Sequence, residues 1–232
     1  MAPTQFRLTL PLLLSLNAGF VDTAGFLALQ GLFTAHVTGN FVTLGASLVL
    51  GTSGAVAKLL ALPVFCVVVM AVRLLGSTLS QRELPALKIL LGLKIILLIV
   101  GAALAIHFGP FSNGDAWQAV VTGMVLVAAM AIQNAVHRIH LGSAPPSTLM
   151  TGTTTQIMID LADMMRRPRA GQPGNPGSRL LRMSGNIAIF AIGCASAALL
   201  YAHVSVWCFA VPPVLALIAL FFRVPDRERA AT

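Results

Sequence analysis

Asp22 is the only carboxylate within an apolar run that extends from Leu8 to Leu29. An ionisable group at membrane depth costs about 2.5–3.5 kcal/mol on insertion scales, so it ordinarily faces a partner or a polar cavity and marks a proton or ion path. His36 titrates near neutral pH and is suited to binding an anion or relaying a proton. A pairing of the two would orient the imidazole and keep the carboxylate charged. Each also has a structural reading, Asp22 as a hub tying its span to the next loop and His36 as an ordinary satisfied side chain.

Two tripeptides carry the strongest mechanism, Thr38-Gly39-Asn40 and Thr151-Gly152-Thr153. Each opens a mostly apolar stretch of roughly 13 to 15 residues, short of the roughly 20 a helix needs to cross a bilayer. Each follows an irregular run marked by Gly or Pro, 31–37 and 142–150. The first N–H groups of a helix lack intrahelical partners and hold the positive end of the dipole. Two such starts converging inside a membrane make a dry site for an anion or a carbonyl-bearing solute. Thr38 and Thr151 are suited to N-capping, and Gly39 and Gly152 let a ligand approach the backbone. Asn40, Asn134, Thr153, Thr154 and Gln156 can add side-chain hydrogen bonds. The competing reading is that small residues here only permit close helix packing.

The elements that must position these residues are transmembrane helices. Of 232 residues, 57% are hydrophobic and 9% charged, against about 25% charged in a soluble domain. The apolar runs lack the alternation of an outer-membrane barrel. The net charge of +8 reflects Lys and Arg at or beyond span ends, as the positive-inside bias produces, and no basic run interleaves with aromatics, which excludes nucleic acid. Cys66, Cys194 and Cys208 sit in apolar segments without CxxC spacing, and are read as packing residues. There is no metal-ligand spacing, no cofactor is implied, and no GxSxG or HExxH motif suggests an enzyme.

The start of the chain, with Arg7 ahead of apolar residues, imitates a signal peptide, but the apolar run is long enough for a full span. Further spans are read at 56–80, 87–108, 117–137, 184–202 and 205–222, with a basic loop at 166–182. If the two short segments do not cross, every Lys/Arg cluster falls on the cytoplasmic side with both termini, and the outer loops hold only Asp115 and Lys58. If both cross, the Arg82 loop and the 166–182 loop land outside, against the bias twice. The expected fold is therefore all-α, with six transmembrane helices and two re-entrant half-helices in two inverted repeats, 1–110 and 116–224. Asn17-Ala18 and Asn134-Ala135 mark equivalent first spans. Inverted repeats with broken helices are a recurring transporter plan.

The residues Gly19-Phe20-Val21-Asp22, Gly25-Phe26-Leu27 and Phe33-Thr34-Ala35-His36-Val37-Thr38-Gly39-Asn40, with Gln133-Asn134-Ala135 and Met150-Thr151-Gly152, resemble the YoaK-like family of multi-spanning bacterial inner-membrane proteins. That family carries a domain of unknown function. The resemblance covers nearly the whole chain and implies a bacterial plasma-membrane protein without supplying a substrate.

The expected function is a transporter or channel for a small polar or anionic solute, proton-coupled through Asp22. An intramembrane enzyme using His36 and Asp22, or a non-transporting scaffold or sensor, is the alternative. The other expected partner is the lipid bilayer, and the Gly-rich spans permit packing within or between copies. Lys94 and Arg73 are expected to snorkel to the cytoplasmic edge, His137 and His140 to be interfacial, and Asp160 and Asp163 to pair with Arg166 and Arg167.

Overall fold

The computed structural model describes residues 9–142, 144–148, 150–165 and 176–222. Arg7, the first part of the basic loop with Arg166 and Arg167, and the Arg223 tail lie outside the described residues. The described residues form eight α-helices and no strand: α1 Leu10–Ala28, α2 Asn40–Leu50, α3 Ala55–Gln81, α4 Ala86–Phe108, α5 Trp117–His140, α6 Met150–Met165, α7 Pro176–Val204 and α8 Val211–Leu220.

Five stretches are long and apolar enough to cross a membrane: Leu10–Ala28, Ala55–Gln81, Ala86–Phe108, Trp117–His140 and Gly177–Leu220. The chain is a multi-pass membrane protein. The last stretch has 44 residues, which as one helix would run about 66 Å, twice a bilayer's thickness. It breaks at Ser205, whose φ is +51°, and continues as a 3₁₀ turn, Ser205–Ala210, before α8 starts with proline in its first turn. The stretch expected to be a plain span at 205–222 is thus a 3₁₀ segment and a short helix, together about 27 Å long.

The core divides into two clusters stacked along the bundle. One holds Val21, Ala24, Leu29, Ile95, Leu98, Leu126, Val127 and Met130 among others. The second holds Leu10, Leu13, Leu14, Val72, Leu90, Leu91, Ile132, Val136 and Ala219. Arg73, Arg82, Lys88, Arg138, Arg179 and Arg182 belong to the helix ends around the second cluster. Lys58 and Asp115 stand at the opposite end.

Helix pairing exchanges between the two halves of the chain. α1 lies along α7 while α5 lies along α3, α4 packs on α5 while α8 packs on α1, and α2 rests on α3 while α6 rests on α7. The α1–α7 contact is close because both helices offer glycine: a Cβ on Gly19 would run into the Phe190 carbonyl, and one on Gly193 into the Leu16 carbonyl.

Each half contains a segment that folds back along its own first helix. Gln30, just past α1, donates Nε2 to the Phe111 carbonyl at 3.0 Å. The turn between α2 and α3 reaches the same loop, because Asp115 accepts from the Gly54 and Val56 N–H groups, both at 2.9 Å. Between these points the chain descends to Asp22, so α2 ends near the level where α1 ends. At 11 residues α2 is about 16 Å long, short of the roughly 30 Å of a bilayer's hydrocarbon core. In the second half the chain leaves α5 at Leu141 and runs back along it, with Ala144 beside His137, Ser147 beside Gln133 and Thr148 beside Asn134.

Candidate functional site

Asp22 lies six residues before the end of α1, about 9 Å down the helix, and is nearly fully buried. Its Oδ1 accepts the N–H groups of Thr34 at 2.8 Å and Ala35 at 2.7 Å and the Thr34 hydroxyl at 3.3 Å. Its Oδ2 lies 2.6 Å from His36 Nδ1, which carries the hydrogen when Asp22 is a carboxylate. Asp22 is thus the hub of the loop, and its second oxygen faces a partly exposed histidine.

The His36 ring is held edge-on between Phe33, at a centroid distance of 6.3 Å, and Phe190 of α7 at 5.7 Å. The Thr148 backbone lies near the same ring. Thr148 in turn donates its hydroxyl to Asn134 Oδ1 at 2.6 Å, and Asn134 donates Nδ2 to the Met130 carbonyl. Asn134 stands six residues before the end of α5, as Asp22 does in α1. The two irregular segments therefore meet at His36 and Thr148, ahead of the helix starts rather than at them.

Several expected ligand groups are engaged otherwise. Asn40 is fully buried and closes its own loop, accepting from the Phe33 N–H and donating to the Phe33 carbonyl, both at 2.8 Å. Thr38 is not a cap: it is exposed inside a 3₁₀ turn, Val37–Gly39, and α2 begins from Gly39 without a side-chain cap. Gly39 leaves room for the Phe33 ring, which a Cβ there would approach to 3.1 Å. Thr151 is not a cap either, since α6 already includes Met150. Thr151, Thr154 and Thr155 line a shallow open groove on the outer face of α6 with Met158, Ile159 and Ala162. Gly152 is exposed with open space around it, and Thr153 is buried. Gln156 donates to Asp160 at 2.7 Å, and Asp160 pairs with Arg179 of α7 at 3.3 Å. The other expected partners of Asp160 and Asp163, Arg166 and Arg167, lie outside the described residues.

Other expectations change with burial. Lys94 does not snorkel: it is fully buried and donates Nζ to Gln133 Oε1 at 2.5 Å. Lys58 is not a free outer-loop charge, because its buried Nζ donates to Ser47 Oγ of α2 at 2.5 Å. His137 is buried beside the Ala144 carbonyl rather than interfacial. Cys208 is buried and Cys194 half-buried, whereas Cys66 is exposed on α3. Phe190, Ser147 and Thr148 were not expected at the site. Ser147 and Thr148 follow a Pro-Pro pair in the irregular run, the signal that could have named them.

Residues 10–222 match the family described as protein of unknown function (DUF1275). UPF0700 transmembrane protein YoaK of Bacillus subtilis (strain 168) is 33% identical over 170 residues, 70% of each chain. No solved structure matches. A match across both folded-back segments and all eight helices, with a relative itself named as a transmembrane protein, accords with the resemblance carried by the His-Val-Thr-Gly-Asn run: the chain belongs to the DUF1275 family.

Proposed function

We propose that this protein is a transporter or channel that moves a small polar or anionic solute across the bacterial plasma membrane, and that it is not an enzyme. The observation that carries the reading is the meeting of His36 and Thr148, each held inside the bundle by a polar residue of the preceding helix. α2 and α6 are re-entrant half-helices, and the two halves are inverted repeats. The exchanged pairing of α1 on α7 and α5 on α3 supports this, as does the common end reached by Gln30 and Gly54. α7 and the segment from Ser205 to α8 are separate crossings, giving six. The Arg-rich end is cytoplasmic by the positive-inside bias and holds both termini.

The solute binds near His36, with Asn134, Thr148 and the start of α6 on the other side, and Thr38 and Gly39 frame its approach. Asp22 and His36 hold the coupling proton, because neutralising the carboxylate releases the imidazole and loosens the loop that they close. The test is uptake by protein reconstituted into phospholipid vesicles under an imposed pH gradient, screened over small anions and polar solutes. Gradient-driven accumulation that Asp22→Asn reduces to passive equilibration supports the coupling; accumulation unchanged in that variant removes Asp22 from the mechanism. Absence of uptake and exchange for every solute overturns the transport reading.

The 2.6 Å His36–Asp22 contact is also the geometry of a general base and its orienter. It favours, as a second reading, an intramembrane enzyme. Turnover of a lipid or peptide by the purified protein, lost in His36→Ala, would replace transport by that activity.

A further inference from the structure

Lys94 is fully buried in a helix long enough to cross the membrane, and among the described residues its Nζ is bonded only to Gln133 Oε1. Ion pairs among the described residues join Asp22 to His36 and Asp160 to Arg179; none reaches Lys94. A cation in such surroundings is costly unless a counter-charge or further polar groups compensate it. Gln133 is held in place, because its Nε2 donates to the Leu14 carbonyl at 2.9 Å and to Ser147 Oγ at 3.1 Å. Its Oε1 is thereby fixed toward the ammonium.

Asn17 adds an independent observation. It is completely buried, and neither its Oδ1 nor its Nδ2 has a hydrogen-bond partner among the described residues. Buried polar atoms left without partners are rare in folded proteins and ordinarily indicate a water or an ion. Its position is set by the two core clusters. On α1, Asn17 falls between Leu13 and Leu14 of one cluster and Val21 of the other. On α4, Lys94 falls between Leu90 and Leu91 of the second cluster and Leu98 of the first. On α5, Gln133 falls between Val136 of the second and Met130 of the first. At these three- and four-residue spacings each shares its helix face with the core residues around it. The three residues therefore lie at one level of the bundle, where the two apolar clusters adjoin, and Gln133 links Lys94 to α1 through the Leu14 carbonyl one turn before Asn17.

We propose that Asn17, Lys94 and Gln133 form an anion-binding station in the middle of the bundle. The ligand is a small inorganic monoanion or the carboxylate of a solute. Lys94 supplies the charge, Asn17 the unengaged amide N–H, and Gln133 fixes the ammonium. The station deepens the transport reading by assigning an anion as the solute class, and its role in transport rests on that reading. It connects to the Asp22–His36 pair, since Gln133 is bonded to Ser147 and the next residue, Thr148, faces His36. The same ammonium disfavours cations.

The test is thermal unfolding of the detergent-purified full chain, at constant ionic strength with a bulky sulfonate as the balancing anion. Chloride, nitrate, formate and acetate are each titrated in. The wild type should show a saturable rise in midpoint; a rise with chloride and nitrate assigns an inorganic monoanion, and one with formate or acetate a carboxylate. Asn17→Leu should raise the midpoint in sulfonate alone, because it removes an unpartnered amide, while weakening half-saturation at least fivefold. Lys94→Met should abolish the response and Lys94→Arg retain part of it. A wild-type response kept in Asn17→Leu, or no response of the wild type to any of the four anions, overturns the station, including where Lys94→Met does not fold. Lys94-dependent binding without vesicle uptake overturns transport and leaves the station. Uptake untouched by Asn17→Leu and Lys94→Met does the reverse.

Discussion

Asn134 accepts a hydrogen bond from the Thr148 hydroxyl at 2.6 Å, and in doing so holds the second folded-back segment as Asp22 holds the first. Both contacts bridge a sequence separation of 14 residues. The difference is charge. The first half uses a carboxylate that receives two backbone N–H groups and an imidazole, whereas the second uses a neutral amide and one hydroxyl. Of the two residues, only Asp22 can hold or release a proton at that point.

Substitutions at Asp22 should separate the hub from the charge. Asp22→Asn keeps an acceptor for Thr34 and Ala35 but opposes an amide N–H to His36, and should cost about 1–3 kcal/mol. Asp22→Ala leaves both N–H groups and the imidazole without their partner, and should cost about 3–5 kcal/mol. Thermal or denaturant unfolding in detergent orders the two; equal stabilities would mean that the loop is held by something other than Asp22.

Cysteine labelling tests the folded-back course of α2. In a background lacking Cys66, Cys194 and Cys208, Thr52→Cys and Asn113→Cys should react with a membrane-impermeant maleimide from the same side, since Asp115 ties their loops together. Arg82→Cys should react from the other side. Labelling of residues 52 and 113 from opposite faces would make α2 a crossing helix.

Much of this was legible from residue type. The membrane-spanning, all-helical character followed from apolar length, although the two spans expected at 184–202 and 205–222 fall within one apolar stretch, Gly177–Leu220. Asp22 drew attention because a carboxylate at that depth must be answered by something. The details that were not legible depend on which neighbour a side chain meets. Asn40 looks like a ligand group until Phe33 is seen to occupy both of its polar atoms. Lys94, eight residues into its helix, looks able to reach the membrane edge until it is seen to be fully buried and bonded to Gln133 of α5. The paired Asn-Ala dipeptides mark the first spans of the two halves, but the residues that hold the folded-back loops are Asp22 and Asn134, and the shared letters do not point to that pair.

The glycines divide into two kinds with opposite expected outcomes. Gly19→Ala and Gly193→Ala each place a methyl group against a backbone carbonyl of the partner helix, which cannot move without separating α1 from α7. Each should cost about 1–3 kcal/mol. Gly45→Ala and Gly152→Ala meet nothing within 4 Å and should be neutral or gain about 0.5–1 kcal/mol from helix propensity. Because α7 also carries Phe190, whose ring lies against His36, loss of stability at Gly19 or Gly193 should be accompanied by loss of uptake. A destabilised Gly193→Ala protein with wild-type uptake would detach α7 from the site.

Asp115 should behave as a cap placed in trans. It is exposed, yet it accepts the Gly54 and Val56 N–H groups at the start of α3, the position where a helix has donors to spare and favours negative charge. No residue next to α3 does this, since Gly54 is the N-cap and has no side chain to offer. Asp115→Ala should therefore cost about 0.5–2 kcal/mol, the range of an ordinary N-cap, and Asp115→Asn less, because the amide retains one acceptor. The loss should register as faster hydrogen exchange at residues 54–58 and in the 109–116 loop together, as the two are one staple. Faster exchange in the loop alone would show that α3 finds its cap elsewhere.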